Sequence, residues 1–401
     1  MRIGSGVQGL GNLDFRLEAD SDCRCHEADK RAEIAQLVRP MNKTTNVRRL
    51  LERLVQTKAE TIKLGMDLHA RDVVVCVQLD GALPERSRKM TTAELLALVR
   101  GLIAAGRKVY SCYESGPCGY GLHRALLAAG AVNHVVAAEQ LGDARRQKTD
   151  KRDAAALCDR LERYLRGNTK AFTVIRVPTV TEEQAREEGR LRDQLKGSRH
   201  EWESRGRSLM LCHGHHVTGP WWTKRRWAEL KPTLDAWLVK ELEVMRTILE
   251  NIDTQEKARR ESLEATAPGK LPKAFGALTV VLLLREICNW ERFKNRRQVS
   301  SYTGLCPGVY QTGGRRLEGS INRHGNPRVR ALLIELVWRL VRWQPHYPPV
   351  RALVAGVARG AKRRKLAVAA ARRLAVDLWR LHTGQTTPEK LNLIVPVEVA
   401  R

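Results

Sequence analysis

The chain has 401 residues, with 71 Lys and Arg against 44 Asp and Glu and a net charge of +27 at pH 7. That length accommodates two or three domains with cores of their own, and the cation surplus points to phosphate backbones, where counterion release drives binding. The longest apolar run, Leu278–Leu284, is far too short to span a bilayer, no signal-peptide pattern opens the chain, and nine scattered cysteines read as reduced, cytoplasmic thiols.

Residues 1–60 are expected to be a loosely ordered extension, with a basic helical segment after Met41, itself an alternative start. From Ile62 the pattern turns to strands, Ile62–His69 and Asp72–Leu79, rich in β-branched residues. Asp80-Gly81 is a hairpin-type turn. Thr91–Glu94 supplies a capping box for a helix ending near Gly106. A strand at Lys108–Tyr113, a helix at Leu122–Ala129, a strand at Val132–Ala137 and a helix holding Asp150 and Asp153 complete an α/β unit.

Four acids stand out in that unit. Asp67 interrupts an apolar strand, which is costly unless a cation or hydrogen-bond donors meet it. Glu114 stands where a later strand ends, and the crevice of an open α/β sheet lies at the carboxyl ends of its strands. Asp150 and Asp153 are three apart, on one helix face, among Arg145, Arg146, Lys148, Lys151 and Arg152. Acids at a first strand, a middle strand and a later helix follow the plan of an RNase H or RuvC-like nuclease. Two Mg²⁺ ions about 4 Å apart clamp the attacking and leaving oxygens of a phosphodiester there, and such hard cations take carboxylate oxygens. Asp143 and Asp159 are expected to be surface charges.

Thr181 to Ala265 is long, charged and helical. Its stripe of Leu234, Leu238, Leu242, Met245, Leu249 and Ile252 is a bundle or coiled-coil face. Trp221, Trp222 and Trp227 lie among Lys224, Arg225 and Arg226, and either stack on unpaired bases or pack a loop against helices. Two groups, Cys23 with Cys25 and His26, and Cys212 with His213, His215 and His216, lack a second ligand pair at zinc-finger spacing. Beyond Pro268 come an apolar helix at Leu278–Ile287, a Gly/Pro-rich loop at Ser301–Tyr310 and the stretch Gln311–Arg316. Gly319–Pro327, with Ser320 expected in a loop, leads into a helix through Leu332 and Leu340. A last helix carries Lys362–Lys365, Arg372 and Arg373 opposite Leu366, Ala370, Leu374, Leu378 and Leu381.

In their order and spacing, Gly65–His69, Tyr113–Pro117, Lys148–Ala154, Thr303–Pro307 and Gly319–Asn326, with the basic tail, resemble the DEDD transposases of bacterial insertion sequences, the IS-one-ten family, in its branch with a long central helical segment. The resemblance spans about Thr61 to His382. It implies an α/β plus α protein: an RNase H/RuvC-like DEDD domain at 61–180, a coiled-coil segment at 181–266, a mainly helical C-terminal transposase domain at 267–385 and a tail at 386–401. It further implies that Asp67, Glu114, Asp150 and Asp153 bind Mg²⁺, that a structured guide RNA and double-stranded DNA are partners, and that the protein is a tetramer. The family serine, a covalent nucleophile, stands directly before a glycine after the Gly-Leu-x-Pro loop. This chain has Thr312 before Gly313 there, with Ser320 and Tyr310 as the other candidate hydroxyls. The reading is a Mg²⁺-dependent transposase, with a hydrolytic RuvC-like nuclease or a catalytically inactive nucleic-acid-binding relic as alternatives.

Overall fold

The computed structural model describes residues 46–138, 150–269, 271–312, 314–356 and 358–395, which divide into two units at Val177/Pro178. In the first unit, α1 (Asn46–Gln56) is followed by β1 (Thr61–Leu68), β2 (Asp72–Leu79), β3 (Arg88–Thr91) and α2 (Thr92–Ala104). Then come β4 (Lys108–Glu114), α3 (Gly121–Ala128), β5 (Val132–Val136) and α4 (Asp150–Leu165). The strand order is β3-β2-β1-β4-β5. Strand β2 is antiparallel to both β1 and β3, whereas β4 runs parallel to β1 and to β5.

Side chains alternate across a strand, and helices cover both faces of this sheet. Ile62, Leu64 and Met66 of β1, with Val73, Val75 and Val77 of β2, pack against Leu50, Leu51 and Leu54 of α1 and Leu95, Leu98 and Leu102 of α2. Val74, Cys76, Cys112 and Val136 on the opposite face meet Ala154, Leu157, Cys158 and Leu161 of α4. Residues 46–56 form the basic helical segment expected after Met41, but as a core helix and not as part of a loose extension. Val47, Leu50, Leu51 and Leu54 form a buried stripe at helical spacing, set among the charges of Arg48, Arg49, Glu52 and Arg53. Strand β3, absent from the predicted elements, extends the sheet beside β2. Residues 1–45, with Cys23, Cys25 and His26, and the segment holding Asp143, Arg145, Arg146 and Lys148, lie outside the described residues.

The contact of α4 with β1 depends on one missing side chain. A Cβ on Gly65 would lie 2.2 Å from the Ala154 carbonyl oxygen and 2.5 Å from the Cys158 nitrogen. Glycine thus lets the helix backbone rest on the strand. Four helix residues advance about 6 Å and two strand residues about 6.6 Å, so Asp150, Ala154, Cys158 and Glu162 mesh with Asp67, Gly65 and Lys63. The Cys158 thiol donates to the Lys63 carbonyl at 3.5 Å, and Lys63 and Glu162 form an ion pair between nearly buried side chains. Burial pushes the Glu162 carboxyl up, but the hydrogen bonds and charges of Lys63 and Arg166 outweigh it and hold the group below its ordinary range.

The second unit contains α5 (Val180–Cys212), α6 (Lys224–Leu230), α7 (Ala236–Ala265), α8 (Ala277–Ile287) and α9 (Arg296–Thr303). The hairpin β6 (Pro307–Thr312) and β7 (Arg315–Ile321) follows, then α10 (Pro327–Trp343), α11 (Arg351–Val354) and α12 (Gly360–His382). Helices α5 and α7 lie antiparallel, joined by Arg192–Glu256 at 2.8 Å and Arg199–Asp253 at 3.0 Å. Leu238, Leu242 and Leu249 of the predicted stripe are buried beside Met210, so this face is used within the chain. Trp221, Trp222 and Trp227 are buried as well. A Cβ on Gly206 would lie 2.1 Å from the Trp221 ring, and the two indole N–H groups of Trp221 and Trp222 donate to the carbonyl and carboxylate of Glu203 at 3.0 and 2.8 Å. With their faces covered by protein, these rings pack the loop and are closed to bases. The predicted loop at Ser301–Tyr310 holds the end of α9 and the start of β6, and Ser320 lies in β7; hairpin pairing orders a stretch whose composition reads as a turn. Among the described residues no helix is long and apolar enough to cross a membrane.

Gly65→Ala is expected to destabilise the fold by about 3 kcal/mol, because the clash is with backbone; urea unfolding of both proteins measures this. Glu162→Gln tests the ion pair. A depressed carboxyl stabilises the fold above its unfolded pKa of about 4.3, and that contribution is lost as pH falls through the folded value. The variant is therefore expected to be less stable than wild type at about pH 7, with the difference closing towards about pH 3, in unfolding titrations run across that range.

Candidate active site

Asp67 is the last residue but one of β1 and Glu114 the last of β4. Met66 pairs with Tyr113 in the parallel ladder; one step further, Asp67 and Glu114 sit at neighbouring strand ends, on the face that α4 covers. Glu114 is half-buried, with one carboxylate oxygen shut off from solvent. Asp150 is the first residue of α4, and Asp153 lies one turn along it, buried. All four predicted acids therefore belong to one end of one unit, where the mesh of α4 with β1 delivers the helix start to the strand end.

The closest contacts run through a residue the sequence reading did not select. The β1–β2 connection is tight, with the His69 N–H donating to the Asp72 carbonyl at 2.9 Å. His69 Nε2 lies 3.5 Å from Asp67 Oδ2 and 3.2 Å from Asp150 Oδ2. The donor atoms of Asp67, His69 and Asp150 all fall within 4.8 Å of one another, the only such group of three among the described residues. Glu114 and Asp153 lie beside this group without joining it. Exposure rises from 30% at Asp67 through 44% at His69 to 60% at Asp150, so the cluster opens outward, next to a groove lined by Leu68, Pro117, Cys118 and Leu122. The signal for His69 was its spacing: two residues beyond Asp67, it continues the same strand face.

Two carboxylates and an imidazole that converge in this way fit a divalent cation. Carboxylate oxygens suit Mg²⁺, and a nitrogen donor extends the set towards Mn²⁺ and its later neighbours. Farther along the sheet, Ser111 donates to Asn133 at 2.7 Å, and the Asn133 amide lies 2.8 Å from His123 Nδ1. Burial lowers the His123 pKa. This chain of bonds lies on the opposite face from Asp67 and braces β4 against β5 and α3.

The three candidate hydroxyls belong to the second unit. Thr312 closes β6, its backbone paired with Arg315, and Tyr310 pairs with Leu317; both side chains lie outside the described atoms. Ser320 is exposed in β7. The nearby Gly325-Asn326-Pro327 has a structural duty. A Cβ on Gly325 would lie 2.2 Å from the Tyr302 carbonyl oxygen. The Asn326 side chain caps α10 by accepting from the Arg328 and Val329 amides, and its own amide donates to the buried Glu286 carboxylate at 2.9 Å. Cys212, His213, His215 and His216 form no metal-ligating group among the described residues, and Asp159 is exposed.

Residues 272–350, covering α8 to the end of α10, match the model of the transposase IS116/IS110/IS902 family. In this segment the chain is similar to that family. Two proteins of Sinorhizobium fredii, y4rJ and y4qE, both named as candidate transposases, are 32% identical over 260 residues and 31% over 261. These matches cover 58% and 63% of this chain but 66% and 62% of the relatives, just under two thirds of their length. The transposase for insertion sequence element IS1533 of Leptospira borgpetersenii is 24% identical over 305 residues, covering 69% of this chain and 85% of that protein.

Proposed function

We propose that the protein is the transposase of an insertion sequence, a cytoplasmic DNA recombinase whose first unit is an RNase H/RuvC-like catalytic domain. The observation that carries this reading is the convergence of Asp67, His69 and Asp150 where β1 ends, in a chain with a transposase-family segment. The strand order and the placement of Glu114 and Asp153 at the same end support it. Asp67, Glu114, Asp150 and Asp153 would hold Mg²⁺, which when bound neutralises charge on the phosphodiester and its departing oxygen. Between two of these carboxylates, His69 would orient Asp67 and Asp150.

The nucleophile in this reading is Thr312. Its Oγ1 bonds to phosphorus as its proton passes to solvent, and the 3′ oxygen leaves with the electrons of the broken P–O bond, taking up a proton from solvent to become the 3′ hydroxyl. The DNA end is thereby held as a phosphothreonine whose reversal rejoins strands. The methyl of threonine narrows the rotamers that reach the phosphorus. The basic helices of the second unit would carry DNA and a structured guide RNA, with base pairing choosing the target, in a tetramer. Threonine at the serine position favours a second reading, a DNA-binding relic that no longer cleaves.

Incubating the protein with element-end DNA, the candidate guide RNA and Mg²⁺, followed by denaturing electrophoresis and peptide mapping, is expected to yield a protein–DNA adduct at Thr312 that Asp150→Ala abolishes. Cleavage without an adduct would point to hydrolysis, and an RNA-bound complex yielding neither product to the relic. Independently of turnover, the electron paramagnetic resonance signal of free Mn²⁺ reports binding. His69→Ala and Asp67→Asn are each expected to weaken Mn²⁺ affinity at least about tenfold, as loss of one ligand or its support does.

A further inference from the structure

The tryptophans that the sequence offered for base stacking are enclosed, but two others in the second unit are not. Trp338 and Trp343 of α10 are 37% and 52% exposed. Each has a guanidinium over its ring: Arg363 of α12 lies 5.1 Å from the Trp338 centroid, and Arg342 lies 5.1 Å from that of Trp343. Arg342 is also four residues on from Trp338, hence on its helix face, and so links the two rings into one patch.

The surroundings of this patch are charged with one sign. From Leu336 to Val376 the sequence contains ten Lys and Arg and no Asp or Glu. Arg339 and Arg373 reach Glu335 and Asp377 at 3.8 and 3.4 Å. Among the described residues, Arg342 and the exposed Lys362, Arg363, Arg364 and Lys365 at the start of α12 have no such partner. The apolar faces of both helices are already spent on the core, through Leu333, Leu336 and Leu340 of α10 and Ala367, Ala371 and Leu374 of α12. A solvated basic face has no need of tryptophan, and an apolar docking face has no need of unpaired cations. Unpaired nucleotides require both, a flat ring for the base and cations for the phosphates on either side.

We infer that Trp338 and Trp343, backed by Arg363 and Arg342, form a stacking platform for the unpaired bases of a single-stranded nucleic acid, with Lys362, Arg364 and Lys365 holding the flanking phosphates. The guanidiniums hold the indoles in place and add a cation–π contribution. A duplex, whose bases are already stacked on one another, offers such rings nothing and contacts only the cations. This site deepens the proposed reading, on which it rests for the nucleic acid carried by the basic helices of the second unit, and does not use the carboxylates.

The test is run on the full-length chain in EDTA, where no metal-dependent cleavage occurs, by fluorescence anisotropy. The probes are labelled oligothymidylate and oligouridylate of about 20 nucleotides, long enough for a typical single-strand site, and a mixed-sequence duplex of equal length. Trp338→Leu and Trp343→Leu, which keep apolar bulk but remove the ring, are each expected to weaken single-strand binding about tenfold. Duplex affinity and the salt dependence of single-strand binding should stay as in wild type, because the phosphate contacts remain. Trp338→Phe and Trp343→Phe should restore most of the loss, and circular dichroism melts of all four variants should match wild type. The relative affinities of the two oligomers identify DNA or RNA as the source of the bases. Single-strand affinity unchanged in the Leu variants would overturn the inference, as would equal loss for single strand and duplex. So would a change in oligomeric state by light scattering without a change in oligomer affinity, which would assign the patch to a second copy of the chain.

Discussion

The close approach of α4 to β1 over Gly65 is the contact on which the first unit depends. A helix ordinarily stands off a sheet by the thickness of two layers of side chains. Here the Ala154 carbonyl and the Cys158 amide come so near the strand that a single methyl group would not fit between. That proximity brings the start of a helix and the end of a strand, far apart in sequence, within reach of one imidazole. The site is thus a product of backbone packing, and its acids are the last members of two interlocking rows.

The strands and helices of this unit were largely legible in the sequence, because their β-branched runs and the Thr91–Glu94 box are local signals. Three things were not. The apolar stripe of α1 is short and set among charges, so the basic helical segment after Met41 does not show itself as core. Strand β3 has little strand character of its own and exists because β2 offers it an edge. His69 does not stand out in a pattern of carboxylates, although its alternation with Asp67 places it on the same face.

In the second unit, aromatic and charged residues changed roles once packing was visible. The Trp221–Trp227 cluster, read from its cationic neighbours, is the core of the turn between two long helices, with Glu203 meeting the indole N–H groups. Trp338 and Trp343, which no sequence motif singles out, stay exposed on an amphipathic helix. Composition does not distinguish the two cases, since the difference is which face the partner helix covers. The leucine stripe of α7 was correctly legible as a packing face, but its partner, α5, lies in the same chain.

The buried Lys63–Glu162 pair sits at the far end of the same mesh that ends at Asp67 and Asp150. Were α4 to dock one turn out of step, the acids at one end would separate, and at the other a lysine would be left inside the protein without its counterion, a fault costing several kcal/mol. Misassembled molecules would therefore be rejected by instability before they could act as defective ones. The ion pair works as a proofreader of register, and a correctly folded first unit is, by the same geometry, one with its acidic cluster assembled.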